Sequence, residues 1–521
     1  MNFVDVLLIL SFFLFAFYLF VKTRQTYWSK RKVPYLKPKR FLLGNFGETL
    51  FDGIPLVKVH EKMYNELSPY KFGGYFRFLK PVLLIRDPEL IKNICTKDFE
   101  YFTDRFDNVV DKNDVLALHL FNLQGQSWKI LRSKLTSTFT SGKMKTMYSL
   151  MKESTLELIK MIDKMNEDGE LIETKELMAR YTTDVISSCA FGLQSNSQKN
   201  PNSIFRQMGK KALNFSFRNL IINILEQIFP QLKKILGLSF FERSVTEFFK
   251  SIVTNTIKYR EENNINRNDF IDLLIQLKKN EIINFENNPD TDTTIEFTDD
   301  LLTAQCFLFY FAGFETSSGT LTFALYELAK HEDIQNKLSN EIEKIMDEDK
   351  ELSYESLQKM TYLEQIISGK KELMKLYIFK QLRETLRMYP ILPFLMRVCN
   401  KNYLLDDSVN IEKGIRIIVP VMGLHYDPQY YENPLEFNPE NFSKDAKNRR
   451  HRYVYLPFGE GPRNCIGMRF GLMQVKLGLA IIIKNYKICV SSKMDGTFKF
   501  RKLAFFTETE GGMWLTFTKR I

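Results

Sequence analysis

The chain has 521 residues, a formal net charge of +11, 44% hydrophobic residues and 45 phenylalanines. With no Ser/Gly- or Pro-rich spacer and no internal repeat, that length argues for one large body rather than a string of modules or a solenoid. The positive charge is not accompanied by a basic-aromatic array or a known binding module, which weighs against nucleic acid and leaves anionic lipid or an acidic protein as the partner.

Residues 3–21 form a nineteen-residue apolar run broken only by Asp5; at ~1.5 Å per residue it crosses most of a ~30 Å hydrocarbon layer. A cleaved leader would carry positive charge before the run and small residues at its end, whereas here Asp5 lies at the start and Phe17, Tyr18 and Phe20 close it. Lys22, Arg24, Lys30, Arg31, Lys32, Lys37, Lys39 and Arg40 follow, with Tyr27 and Trp28 expected as rings at the membrane interface. Residues 1–32 therefore predict a membrane anchor with a basic stop-transfer segment, and the charge bias leaves the body, residues 33–521, in the cytosol. Pro34 and Pro38 then stiffen the connection.

Residues 72–85 predict short strands with turns, and residues 147–165, 244–262 and 301–331 carry helical periodicity, so the body is expected to be mostly α with small β-sheets. Residues 263–300, rich in Asn and Asp around one amphipathic piece at 269–279, predict an exposed connection into the long helix. The aromatic share of 14% suits an apolar pocket.

In that helix, Ala312-Gly313-Phe314-Glu315-Thr316-Ser317 brings together a small residue, an acid and an alcohol. Gly313 removes side-chain bulk, and Thr316 is expected to hold water or a reacting oxygen where the helix opens locally. Glu384 and Arg387 are three apart in Glu384-Thr385-Leu386-Arg387-Met388-Tyr389-Pro390 and so adjacent on a helix. Six cysteines are widely spaced and form no C-x-x-C pair, which argues against a disulfide framework or a zinc site. The five histidines lack ligand spacing and are expected to be structural. Only Cys465 has a chemical context, within Pro457-Phe458-Gly459-Glu460-Gly461-Pro462-Arg463-Asn464-Cys465-Ile466-Gly467. Gly461, Phe458 and Gly467 can give close backbone approach, an apolar cover and amide donors around a thiolate, and a helix from about Ile466 to Ile483 would turn its positive end toward the sulfur.

These motifs resemble the cytochrome P450 family, whose haem loop reads F-x-x-G-x-x-x-C-x-G and is matched at Phe458, Gly461, Cys465 and Gly467. The resemblance covers nearly the whole chain and implies the cytochrome P450 fold behind one N-terminal transmembrane helix. It implies Cys465 as the fifth ligand of haem iron, Arg463 together with Trp128 and Arg132 of W-x-x-x-R as haem-propionate contacts, and Gly313, Glu315 and Thr316 as the oxygen-activating group. Glu384 and Arg387 become a structural lock whose third partner is normally an arginine. Asn441 of Pro439-Glu440-Asn441-Phe442 stands there instead, able to hydrogen-bond but uncharged.

The same resemblance implies a monooxygenase in the endoplasmic reticulum membrane facing the cytosol. It would draw electrons from NADPH through a flavin reductase, with cytochrome b5 as a second donor, and act on small lipophilic compounds. A basic face of Lys444, Lys447, Arg449, Arg450 and Arg452 is the expected docking surface. Lys37-Pro38-Lys39, Tyr362-Leu363-Glu364 and the haem loop look most like the insect branch associated with detoxification. A reductase-independent isomerase is disfavoured by the acid-alcohol pair. An inactive haem-binding membrane protein stays open because fifteen residues, 369–383, separate Leu363 to Ser368 from Glu384 where the family runs one helix. Leu373, Leu376, Phe379 and Leu382 have amphipathic spacing, yet a helical extension would shift the upstream turn by about 22 Å and about 60°, so a bulged loop is expected. In-frame codons at its ends are compatible with intron boundaries, and both a native insertion and a retained intron remain open.

Overall fold

The computed structural model describes residues 3–107, 110–111, 113–214, 217–228, 230–267, 269–279, 296–357, 377–406, 409–494 and 497–520. Chain order runs from helix α1 (Phe3–Gln25) to strands β1 (Phe72–Arg77) and β2 (Lys80–Ile85), helices α2 (Gly125–Thr136) and α3 (Ser141–Glu167), strand β3 (Ile172–Glu173), and helices α4 (Thr174–Ile186), α5 (Phe217–Ile228), α6 (Asp299–Lys330) and α7 (Tyr377–Met388). Strands β4 (Leu395–Val398) and β5 (Arg416–Val419), helix α8 (Met468–Asn485) and strands β6 (Tyr486–Val490) and β7 (Trp514–Lys519) complete the frame. The fold is mostly helical with small sheets, as the periodicity predicts: helices Ser141–Glu167 and Arg243–Glu262 contain the predicted spans 147–165 and 244–262, and Asp299–Lys330 ends one residue short of the predicted 301–331. Of the connection at 263–300, Phe270–Lys279 is helical, and residues 280–295 lie outside the described residues.

Helix α1 is apolar on every side and exposed except at Val21. Its 23 residues extend ~34 Å at ~1.5 Å each, enough to span a membrane. The junction with the body corrects one expectation. Trp28 is not an interfacial ring: it is fully buried, lies over the bare Cα of Gly74, where a Cβ would stand 2.4 Å from the indole, and donates from Nε1 to the Tyr75 carbonyl at 3.2 Å. Tyr27 likewise turns to the body, donating from its hydroxyl to Glu412 at 3.0 Å, while Arg31 bonds the same carboxylate at 2.5 Å. An indole buries more apolar area against a sheet than at a headgroup layer, so packing wins.

One sheet has the order β1-β2-β5-β4. The β1–β2 hairpin pairs Tyr75 with Val82 and Arg77 with Lys80, and β5 adds in parallel with Val82 opposite Arg416. Because side chains alternate, Tyr75, Arg77, Val82 and Arg416 share a face. A second sheet, β3-β7-β6, lies against the helical side.

Thr298 caps α6 by accepting from Leu301 N–H at 3.2 Å, and Asp299 and Asp300 sit in its positive first turn. The helix is buried along most of its length, packed against α4 and α8. Its partner α4 is tied on by Thr182 Oγ1, which donates to the Phe314 carbonyl at 2.9 Å.

Helix α7 holds the buried lock. Glu384 and Arg387 are both wholly inaccessible, and the guanidinium makes two parallel bonds to the carboxylate, 2.9 and 2.8 Å, before donating to the carbonyls of His425, Pro434 and Glu436. Asn441 takes up the expected role, donating to Glu384 at 3.1 Å. Breaking such a pair from one side costs about 3–5 kcal/mol, because a buried charge is stranded. Arg450, expected on the surface, instead bonds the Asn441 carbonyl and stacks over Tyr431 at 4.3 Å. Lys447 is half-buried and Arg452 is paired with Glu460 at 3.1 Å, so the basic face is narrower than the sequence suggests.

The segment 369–383 also departs from expectation. Its last seven residues are not a loop but the first two turns of α7, with Ile378 and Leu382 buried and Phe379 at 9% exposure. Helix is favoured there because Ile378 and Leu382 fall four apart on the inward face, while Arg383 lies over the Phe379 ring at 4.3 Å. Leu373, Met374 and Leu376 lie outside the described residues.

Two outcomes follow. Removing residues 1–24 is expected to release the protein from membranes with its melting temperature unchanged. Extending the truncation to residue 32 deletes Trp28 and should lower stability by about 3–5 kcal/mol, measured by thermal unfolding. Deleting 369–383 would bring Leu363 and Ile367 to the places of Ile378 and Leu382, and Ile366 to that of Gln381, whose buried Oε1 has no partner. Haem content and melting temperature of that deletion are expected to rise; a fall in either marks the segment as native structure.

Candidate active site

The loop entering α8 is shaped by its glycines. Gly461 has φ +78°, and a Cβ there would lie 1.8 Å from the Cys95 carbonyl oxygen, so only glycine lets the loop pass. Cys465 N–H donates to the Phe458 carbonyl at 2.9 Å, closing the turn. Gly467 caps α8, which starts at Met468, two residues later than expected. Of the six cysteines Cys465 alone is exposed, and its exposure opens into a cavity of about 1380 Å³. Burial within the surrounding protein raises the pKa of its thiol, against the lowering effects of the Gly467 backbone, Arg132 and Arg105.

Of the guanidiniums that line the same cavity, those of Arg105, Arg132, Arg397 and Arg463 gather at its Cys465 end. Arg132, on α2, donates to Asn464 Oδ1 at 2.8 Å, and Trp128 from the same helix lies 4.0 Å beneath the Arg463 guanidinium. Arg463 is held by the protein itself. Its donors go to the carbonyls of Thr103 at 2.7 Å, Leu123 at 2.7 Å and Leu120 at 3.4 Å, because buried carbonyls need donors. It pins the 103–123 segment to the cysteine loop. Arg105 donates to the Arg463 carbonyl at 2.9 Å and stacks on Phe121 at 4.1 Å. Among the described residues, the side chain of Arg397, on β4, bonds the neighbouring Met396 carbonyl, and its buried Nε has no partner.

Burial, then the neighbouring arginines, push Arg105 far below its ordinary pKa and Arg463 down to about 9. Asp104, 3.6 Å from Arg463, is already bonded by Gly125 N–H at 2.8 Å and Asn400 at 2.7 Å. Among the described residues, this end of the cavity therefore holds a surplus of buried cations facing an exposed thiol. Arg105 and Arg397 carried no sequence signal, since neither belongs to a spaced motif, and His119, whose buried Nδ1 is also unpartnered, was set aside as structural.

Ala312, Gly313 and Thr316 line the cavity from α6. Three expectations change here. The helix does not open: α6 is continuous, and Thr316 Oγ1 donates to the Ala312 carbonyl at 2.7 Å, one turn back. Gly313 is small chiefly for packing, since a Cβ would lie 2.7 Å from Ile186 Cδ1 of α4. Glu315 does not line the cavity. One residue from Thr316 on a helix is ~100° around the axis, which turns its carboxylate to α4, where Lys175 Nζ donates at 2.5 Å. Lys175 also reaches Ser318 Oγ at 2.8 Å. Burial raises the Glu315 pKa, partly offset by Lys175, and its Oε2 is enclosed without a partner. Phe121, Phe241, Phe307, Phe311 and Phe506 add an aromatic wall.

A family model for cytochrome P450 matches residues 42–516. The chain belongs to the cytochrome P450 family. It is 38% identical to cytochrome P450 9e2 of Blattella germanica over 534 residues, covering 98% of this chain and 97% of that one. It is 39% identical to cytochrome P450 6k1 of the same species, covering 99% and 97%, and 40% identical to cytochrome P450 6a2 of Drosophila melanogaster, covering 94% of each.

As a cytochrome P450 it is a haem-dependent monooxygenase. The residues present fit haem: one accessible thiol, a cavity of sufficient volume, and unsatisfied buried donors at Arg397 and His119 for its carboxylates. Cys465→Ala is expected to abolish haem retention while Cys399→Ala, whose thiol is buried and bonded to the Lys401 carbonyl at 2.8 Å, keeps it. The measurement is haem per chain after purification.

Proposed function

We propose that this cytochrome P450 sits in the endoplasmic reticulum membrane with its body in the cytosol. It would receive electrons singly from an NADPH-dependent flavin reductase, with cytochrome b5 as a second donor, and oxidise small lipophilic compounds, as in detoxification. The observation that carries this reading is that the exposed Cys465 and the hydroxyl-bearing Thr316 line one aromatic-walled cavity. Haem bound there supplies iron that activates O2, and thiolate ligation favours O–O cleavage.

The chain's own residues take the following parts. Cys465 offers its sulfur through the turn fixed by Gly461. Arg132, Arg105 and Arg397 would donate to the haem carboxylates, and Trp128 and Arg463 hold the loops that carry them. Thr316 Oγ1, released from Ala312, could hold water and pass a proton within the cavity. Glu315 Oε2, enclosed and unpartnered, is a place where a proton can be held behind it, and the Lys175 bridge fixes α4 against α6. Lys444 and Arg449, exposed on the surface, are the remaining part of the expected basic face and can meet an acidic partner.

Thr316→Ala is expected to keep haem and its spectrum but divert NADPH electrons to peroxide or water, so that product per NADPH falls by about 10- to 100-fold. Equal coupling in wild type and variant would remove Thr316 from the proton path. Loss of haem instead would give it a structural role.

A further inference from the structure

Two segments from distant parts of the chain line the cavity and meet at one edge of it. The first holds Asp111, Asn113 and Asp114 and leads into a short 3-10 turn, Val115–Leu118; the second, residues 236–241, joins the helix Pro230–Ile235 to the helix Arg243–Glu262 and puts Phe240 and Phe241 on the cavity wall. Just beyond its turn, the first segment is fastened to α6. Gln305 Oε1 accepts from the Leu120 N–H at 2.8 Å, and Gln305 Nε2 donates to the Leu118 carbonyl at 3.1 Å. Its leading edge is tied to the second segment instead. Asp114 Oδ1 accepts from Ser239 Oγ at 2.9 Å, and the carboxylate takes a further hydrogen bond from the Phe240 backbone. Burial raises the Asp114 pKa, while Ser239, Lys233 and Phe240 favour the charged carboxylate. Lys233 is itself paired with Glu226 at 3.1 Å.

Residues 236–241 have the build of a strap. Arg218 of α5 donates to the Ser239 carbonyl at 2.8 Å and to the Phe240 carbonyl at 3.4 Å, so the carbonyls of the strap are held by α5 while its hydroxyl and amide go to Asp114. Inward, the Phe241 ring packs on Phe307 at 4.7 Å and lies 6.3 Å from Phe311, on the stretch of α6 that leads to Gly313 and Thr316. Outward, Leu236 is more than half exposed. Gly237 has φ +58°, and a Cβ there would meet nothing within 4 Å. A glycine with open space around it gives the strap a place to pivot. The ring contacts of Phe241 are non-directional and survive small shifts, whereas bonds to a carboxylate need a fixed geometry and are stronger than neutral ones. Asp114 therefore decides whether the two segments stay together.

We propose that Asp114 is the latch of a gate: its bonds to Ser239 and Phe240 hold the strap over the cavity, and substrate enters and product leaves where these bonds part. Asp114 is a positioning residue, acting through the strap and not on the reacting atoms. The proposal rests on the reading of this cavity as the substrate site. To test it, the haem-loaded full chain is mixed in a stopped-flow cell with 4-phenylimidazole, a bulky nitrogen ligand whose arrival shifts the haem spectrum. Carbon monoxide, added after reduction, is the control, since a diatomic molecule passes without the strap moving.

Asp114→Ala is expected to raise the association and dissociation rates of 4-phenylimidazole together by about tenfold, the size of a lost charge-assisted hydrogen bond, with Kd kept within about twofold. Passage in both directions speeds up because the open state is populated more often. Ser239→Ala should raise both rates by about threefold, the size of one weaker bond. Added to Asp114→Ala it should change nothing further, because the hydroxyl has then lost its acceptor. Carbon monoxide should bind every variant at the wild-type rate. Unchanged rates in Asp114→Ala would overturn the latch; if that variant does not fold, unchanged rates in Ser239→Ala overturn it. A Kd that moves with the dissociation rate alone would also overturn it, as the mark of a direct contact with the ligand, and so would equal acceleration of carbon monoxide. The reduced carbon-monoxide spectrum tests the haem assignment separately: a thiolate spectrum with unchanged 4-phenylimidazole rates fails the latch alone.

Discussion

An excess of buried positive charge around one thiol is the constraint on which the rest of the site depends. Arg105, Arg132, Arg397 and Arg463 line one end of the cavity, and among the described residues the carboxylate paired with them is Asp104, which is already bonded. Like charges in a poorly solvated space repel strongly, and burial adds to the cost. An anionic guest would stabilise such a cluster, and haem would bring two carboxylates together with an iron centre for the thiolate. The same arginines organise the protein. Arg463 binds three carbonyls of the 103–123 segment, Arg105 bonds the Arg463 carbonyl, and Arg132 bonds Asn464. Haem binding and the closing of these loops are therefore coupled in one network.

Behind this network the Glu384–Arg387 pair has the opposite character. It is wholly buried but internally neutral, and every strong donor finds an oxygen within 3.1 Å. Asn441 closes the Glu384 side without charge, and Arg450 approaches through the Asn441 carbonyl. This arrangement ties α7 to residues 425–441 with protein groups alone. The rear of the site is thus satisfied by the protein's own groups.

Much of this was legible in the sequence for identifiable reasons. The haem loop, the Glu384–Arg387 pair and the Trp128/Arg132 pair are short-range patterns whose spacing survives folding, and the N-terminal span depends only on length and polarity. Directions of side chains were less legible. Glu315 sits beside Thr316 in sequence, yet helical rotation sends it to Lys175. Gly313 makes room for Ile186 of another helix, and Trp28 is claimed by Gly74 of β1 rather than by a membrane surface. Arg105 and Arg397 converge on the cavity from a loop and a strand, so no local pattern could flag them. The segment before Glu384 was read as a loop because two phases of helix seemed incompatible, but Ile378 and Leu382 fill the inward positions themselves.

The central claim is that the buried cations and Cys465 together make a haem-thiolate centre, and the reduced carbon-monoxide spectrum of the purified full-length chain tests it most directly. The account predicts one haem per chain with the spectrum of a thiolate-ligated carbonyl complex. A chain without haem, or one giving the spectrum of nitrogen ligation, would contradict it.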